Sequence, residues 1–225
     1  MNTSAQLDRL PGSTQSASLP RLLAALFFRP SRLFADLMPL KAKPLWIIVA
    51  WIGGVSSAID RADRLMVKSD LTGNESSTMQ LLDSWAAFWP FILIVGAFNA
   101  ALVWLIGGWW HRVRLKWSGD ANADPFSARI VYSYTNLITA LPAITATLIC
   151  TLVYESYRAA WNSDEAWSAL LLAFIAWDCI ASYKGVRVAF AVSKWKARFW
   201  FVILPLGFYL AAALVVGGMY AMQEM

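Results

Sequence analysis

The chain of 225 residues is 59% hydrophobic and only 15% charged, with a mean hydropathy of +0.51 and 13 tryptophans. Soluble domains carry about 25% charged residues, and tryptophan gathers at bilayer interfaces, so the composition excludes an ordinary soluble domain and indicates a membrane protein. The net charge of +5 is modest, and no run of Lys and Arg is long enough to follow a phosphate backbone. We therefore expect no nucleic acid among the partners.

The chain begins with a polar stretch and an interrupted apolar one. Residues 1–18 lack the apolar core of a secretory signal, which predicts a disordered polar tail. Residues 19–40 are apolar in patches, but charges such as Arg21 and Arg29 interrupt them, and Pro30 divides them. This pattern predicts two short amphipathic helices on the inner membrane surface. The alternative is a helix that packs on the cytoplasmic end of a helix bundle.

Four later apolar runs are each long enough to cross a bilayer, which needs about 20 mostly apolar residues. They cover residues 85–109, 130–153, 166–183 and 199–222. A fifth run, residues 45–59, holds only 15 residues between Pro44 and Asp60, so its length leaves its crossing undecided.

The distribution of basic residues favours a crossing by the short run as well. If all five runs cross, 15 of the 19 basic residues fall on one side, as the positive-inside rule requires. If the short run does not cross, the division is 10 against 9, and no orientation signal remains. The sequence thus predicts an all-α, polytopic membrane helix bundle of five spans over residues 41–225. We expect a cell inner membrane location, with the N-terminus in the cytoplasm and the C-terminus outside.

Polar side chains inside the predicted spans form the first candidate site. We estimate depth at 1.5 Å per residue from the nearest cytoplasmic charge. By this measure Asn99, Asn136 and Asp178 fall in the inner half of the bilayer. The predicted intramembrane polar cluster comprises Asn99, Ser133, Asn136, Asp178 and Ser182. Two interpretations stay open. An intramembrane acid marks an ion or ligand path, or these side chains bond neighbouring helices together.

The second candidate site is a basic face on the predicted cytoplasmic side. It comprises Arg29, Arg32, Lys41, Lys43, Arg112, Arg114 and Lys116. Basic clusters beside membrane spans attract anionic lipid headgroups, so we expect membrane lipids or a protein partner to bind here. The alternative is ordinary control of topology, which needs the same residues. Small residues at Gly53–Gly54 or Gly217–Gly218 would also suit a homodimer.

Several short motifs occur in an order that resembles the Ypt-interacting-protein (Yip) domain family. They are FFRPSRLFADL, a glycine-bearing first span, GGWWHRVRLKWSG, and YSY followed by Pro142 within a span. The resemblance covers about residues 19–222 and agrees with five spans and a cytoplasmic N-terminus. Short loops make the chain look like a prokaryotic member. The resemblance implies a non-enzymatic membrane protein; eukaryotic members bind small prenylated GTPases and act in vesicle traffic. It supplies no site residue.

The sequence contains no catalytic constellation. His111 is the only histidine, and GxSxG, HExxH and glycine-rich phosphate-loop motifs are absent. No Cys or His cluster offers a metal site. We therefore expect no catalytic residue, metal or cofactor. The predicted function is a scaffold or adaptor that holds lipid or a protein partner at the cytoplasmic face. The alternative is a small transporter or channel with a polar path through the inner half of the bilayer.

Overall fold

The structure is a computed structural model, and it describes residues 19–40, 45–73, 77–163 and 167–223. The predicted tail, Lys41 and Lys43 therefore lie outside the described residues. The described chain is all-α, without strands. In chain order its α-helices are α1 (Leu19–Phe28), α2 (Pro30–Leu40), α3 (Leu45–Thr72), α4 (Trp85–Leu102), α5 (Gly108–Trp117), α6 (Pro125–Val153), α7 (Tyr157–Trp161), α8 (Trp167–Ala189), α9 (Lys194–Arg198) and α10 (Leu204–Gln223). A 3-10 turn covers Ser77–Leu82, and π-helical turns cover Val103–Gly107 and Phe199–Ile203.

Four continuous helical segments in the described chain are long and apolar enough to cross a membrane. They are Leu45–Thr72, Trp85–Trp117, Pro125–Val153 and Lys194–Met219. The short first run is thus part of a helix of 28 residues. Helix α8 has 23 residues but is not among the four. The charged residues Asp178, Lys184 and Arg187 lower its hydropathy. A crossing by α8, on which the number of spans and the orientation of the termini depend, therefore stays a prediction.

The turn after α5 and the turn after α8 meet at one end of the bundle. The Ser193 amide donates to the Ser118 carbonyl at 2.8 Å, and the Ala191 amide donates to Asp120 Oδ2 at 3.2 Å. We call this the basic end, because Lys116 and Lys194 flank these turns. Helix α8 returns to it antiparallel to α6.

The opposite end of the bundle collects the end of α3, the start of α4 and the short helix α7. The Trp85 indole donates to the Tyr154 carbonyl at 2.8 Å, and Arg158 pairs with Asp83 at 2.6 Å. The Trp161 indole donates to Asp70 at 2.9 Å. We call this the acidic end. These contacts hold the connection between α6 and α8 against the rest of the bundle.

The second membrane helix continues beyond residue 109, where the apolar run of the sequence ends. The helix continues through the π-helical turn into α5, so one segment runs from Trp85 to Trp117. Gly107 and Gly108 are used for close packing. A side-chain carbon at Gly107 would overlap the Tyr132 ring, and one at Gly108 would overlap the Arg129 side chain. Small residues allow such close approach between membrane helices.

Helices α1 and α2 are separated by Arg29 alone, and we call the two together the hairpin; one side of them packs into the protein core. Leu33 and Phe34 are buried, and the Phe34 ring lies against Gly185 of α8. The Trp177 indole donates to the Phe27 carbonyl at 2.9 Å. These contacts agree with the alternative prediction, in which this segment packs on the end of the helix bundle. At the turn between the two helices, Phe28 is 82% exposed.

Candidate functional site

A cavity of about 800 Å³ lies between α3, α6, α8 and α10. Its wall toward the basic end includes Arg114, Tyr132 and Asp178. Its wall toward the acidic end includes Asp60 and Asp63. The cavity therefore extends between two groups of charged side chains along the length of the bundle.

Arg114 points into the bundle and lines this cavity. Its guanidinium carbon lies 4.7 Å from the centre of the Phe201 ring, and Nη2 lies 3.5 Å from His111 Nδ1. Its Nε is buried without a hydrogen-bond partner. Asp178 lines the same cavity, and its Oδ1 is also buried without a partner. Among the described residues, no ion pair within 4.0 Å joins the two side chains.

Unpartnered charges are unusual in a protein interior, because burying a charge without a partner costs several kcal/mol. Here Arg114 and Asp178 line one cavity without forming an ion pair within 4.0 Å. Tyr132, whose ring packs against Gly107, lines the wall beside them. This arrangement can accept a ligand that carries both an anionic group and a hydrogen-bond donor.

The structure brings together three members of the predicted polar cluster, because Asn136, Asp178 and Ser182 all line the cavity. Asn99 is directed elsewhere: its amide nitrogen lies 3.5 Å from the Ser57 hydroxyl, between α3 and α4. Ser133 is 1% exposed, its hydroxyl has no partner, and it is not a lining residue. It follows Tyr132 by one position, which turns it about 100° away on a helix.

The predicted basic face divides into separate groups. Arg29, Arg32 and Lys116 are exposed. Arg112 is half-buried and donates to the Ala123 carbonyl at 3.0 Å, and Arg114 turns into the cavity. Because Arg112 and Arg114 lie on one regular helix, two positions apart, their side chains leave it in nearly opposite directions.

The sequence prediction placed Arg114 on the basic face, whereas its side chain lines the cavity. A helical periodicity in the sequence indicates this inward direction. Gly107, His111 and Arg114 stand at positions i, i+4 and i+7, which is one face of a helix. In the structure that face contacts α6 and Phe201. The predicted apolar run ends at residue 109, so this periodicity extends across the predicted end of the span.

At the acidic end, the polar contacts are made within the protein. The Tyr157 hydroxyl donates to Asp63, and its ring stacks on Phe88 at 4.5 Å. Burial raises the pKa of Tyr157 well above its usual value, so the hydroxyl keeps its proton and acts as a donor. Arg64 and Asp60 form an exposed ion pair at 2.6 Å. The acidic side chains in this part of the cavity wall therefore have hydrogen-bond or ion-pair partners within the protein.

The sequence profile of the Yip1 domain matches residues 24–217, which is most of the chain. The chain belongs to the Yip1 domain family. Comparison with curated proteins and with solved structures gives no match. The match begins within α1 and ends within α10, so it includes α2 and every residue that lines the cavity.

Membership of the Yip1 family and the apolar helices identify a multi-pass membrane protein. The Yip1 family is not known for enzymatic activity. The part of the chain that the structure describes holds no group of three or more His, Cys, Asp or Glu side chains able to bind a metal ion. The cavity and the exposed hairpin turn are therefore the two features of this Yip1 domain to which a function can be attached.

Proposed function

We propose that this Yip1-domain protein is a non-enzymatic scaffold of a cell inner membrane. It would hold anionic lipid or a protein partner at its cytoplasmic face. The observation that carries this proposal is the hairpin turn, where Phe28, Arg29 and Arg32 are exposed on a segment anchored by buried Phe34. An exposed aromatic ring beside two cations suits the boundary between lipid headgroups and acyl chains.

The proposed orientation rests on charge bias together with the course of α8. The positive-inside rule places the basic end in the cytoplasm. Helix α8 returns to that end antiparallel to α6, and its Gly185 faces Val131 near the start of α6. This course supports a crossing by α8, and with it five spans and an external C-terminus. In that arrangement the hairpin lies at the cytoplasmic membrane surface.

The proposal is tested by neutralising the exposed cations in a double variant, Arg29→Gln with Arg32→Gln. Basic residues at a lipid surface contribute about 1 kcal/mol each, so the double variant should lower anionic-lipid enrichment by about tenfold or more. The measurement is energy transfer from the tryptophans to a labelled phosphatidylglycerol in nanodiscs. Arg61→Gln with Lys68→Gln, exposed near the acidic end, is the matched control. Equal enrichment in both double variants would exclude the hairpin as the lipid contact.

A small transporter or channel is the second candidate, and the cavity lined by Asn136 and Asp178 favours it. Cys179 lines the same cavity and reports whether water enters. With Cys150→Ala, Cys179 is the only thiol in the chain. Rapid labelling by a bulky, impermeant maleimide in inside-out vesicles would support a path open to the cytoplasm. Labelling only after denaturation would argue against one.

A further inference from the structure

Two buried atoms at the basic end of the cavity, Arg114 Nε and Asp178 Oδ1, have no hydrogen-bond partner, although both side chains are held in place. Arg114 is positioned by the Phe201 ring and by His111, and both of these residues are fully buried. Asp178 lies within α8, and the residue that follows it, Cys179, is buried with only 5% of its surface exposed. Among the described residues, no ion pair within 4.0 Å joins Arg114 to Asp178. The site is therefore preorganised for something that stands between or beside them.

The chemistry of this pair selects a class of ligand. A guanidinium prefers a phosphate or carboxylate, because it presents several donors in a planar fork. A carboxylate prefers an ammonium group, which is a cation and a donor together. A ligand that carries only one of these groups would leave the other protein charge unpaired. A zwitterion with a phosphate and a primary ammonium satisfies both.

The rest of the cavity wall is mixed: it includes polar side chains such as Ser56, Thr139 and Asp63, and its apolar part lies on a helix that packs loosely. Leu204, Pro205 and Phe208 of α10 line it, and Ile59 lines it from α3. The side chains of α10 are mostly exposed, and a side chain added at Gly207 would meet nothing within 4 Å. The cavity is thus bordered by a helix that has few contacts with the bundle. A hydrocarbon chain can enter between α10 and α3 without crossing a packed interface.

We propose that this cavity binds one aminophospholipid. Its phosphate would contact Arg114 and the Tyr132 hydroxyl, its primary ammonium would contact Asp178, and one acyl chain would lie along α10. The volume of about 800 Å³ falls within the usual range of about 300–1,000 Å³ for small-molecule sites. This site is separate from the exposed hairpin turn, so it goes beyond the surface contact proposed above.

The site is tested by native mass spectrometry of the detergent-solubilised protein with phosphatidylethanolamine, phosphatidylcholine or phosphatidylglycerol added. Phosphatidylethanolamine should bind best, because the quaternary ammonium of phosphatidylcholine donates no hydrogen bond and phosphatidylglycerol has no cation. Arg114→Gln and Asp178→Asn should each lower its affinity by about tenfold or more, the usual effect of losing a charged hydrogen bond. Lys68→Gln, exposed near the acidic end, should leave the affinity unchanged.

Two results would overturn the proposal. They are equal binding of the three lipids and unchanged phosphatidylethanolamine affinity in both cavity variants. The double variant of Arg29 and Arg32 should keep full phosphatidylethanolamine binding. Failure of the hairpin proposal and failure of the cavity proposal are therefore distinguishable.

A second measurement needs no change in the charged residues. In the Cys150→Ala protein, phosphatidylethanolamine should slow the maleimide labelling of Cys179, because the lipid fills the cavity that this thiol lines. Phosphatidylglycerol at the same concentration should protect less. Equal labelling rates with and without phosphatidylethanolamine would contradict the proposal even if the charge variants failed to fold.

Discussion

Arg114 shows how a single residue connects the packing of the bundle to its chemistry. Its guanidinium lies over the Phe201 ring, and its Nη2 lies near His111 Nδ1. Aromatic faces stabilise a cation without neutralising it, because they offer a partial negative charge from the ring quadrupole. Arg114 can thus be kept inside the protein while retaining its attraction for an anion in the cavity. Glutamine or leucine at this position would fill the space but would lose that attraction.

The contact between Arg114 and Phe201 predicts an energetic coupling between them. In a double-mutant cycle with Arg114→Gln and Phe201→Leu, we expect a coupling free energy of about 0.5–2 kcal/mol, the usual strength of a cation–π contact. The measurement is the free energy of unfolding of the lipid-free protein in detergent. The same cycle with Lys116→Gln in place of Arg114→Gln is the control and should be additive, since Lys116 is exposed. Additive effects of Arg114→Gln and Phe201→Leu would refute the contact.

At the scale of helices, the glycines inside the membrane segments determine which helices touch. A side-chain carbon at Gly54 would overlap the Gly96 carbonyl oxygen, and one at Gly96 would come within 2.9 Å of Val55 Cα. The α3–α4 contact is therefore a contact between backbones. Gly53 likewise faces Asn136, with 2.7 Å between its missing Cβ and the amide nitrogen. The pair Gly53–Gly54 is used within the chain, which removes it as a dimer surface.

This packing predicts opposite effects for two glycine substitutions. Gly54→Ala should destabilise the protein by about 1–3 kcal/mol, since the added methyl group pushes two helix backbones apart. Gly217→Ala meets nothing within 4 Å and should leave stability unchanged or raise it slightly. Thermal unfolding in detergent measures both. Equal stability of the two variants would show that α3 and α4 are not in backbone contact.

The positions of the helices could be predicted from sequence better than their ends and their rotation. Three of the four long apolar helices followed from hydropathy runs, and the first followed from charge bias, since its apolar run is short. The second helix continues past residue 109, where its predicted run ends, and Gly107 and Gly108 pack closely against α6. Asn99 was assigned to the polar cluster by its depth along the helix. Depth carries no information about the direction of a side chain, which depends on the neighbouring helices.

At the scale of the whole molecule, the bundle separates two kinds of surface. The basic end carries the anchored hairpin and the part of the cavity wall with Arg114 and Asp178, which have unpartnered buried atoms. At the acidic end the polar side chains pair within the protein, such as Tyr157 with Asp63 and Arg158 with Asp83. Helix α10 stands apart from this core, with Leu210 and Leu214 more than half exposed. A scaffold with one interactive end fits this division, and that interpretation depends on the basic end facing the cytoplasm.

The most direct test is therefore the location of two positions relative to the membrane. In a cysteine-free background, with Cys150→Ala and Cys179→Ala, single cysteines replace Ser31 in α2 and Met222 near the end of α10, both of which are exposed. Our account predicts that an impermeant maleimide labels position 222 in intact cells and position 31 only in inside-out vesicles. Labelling of both positions from the same side would indicate an even number of spans and would contradict the account.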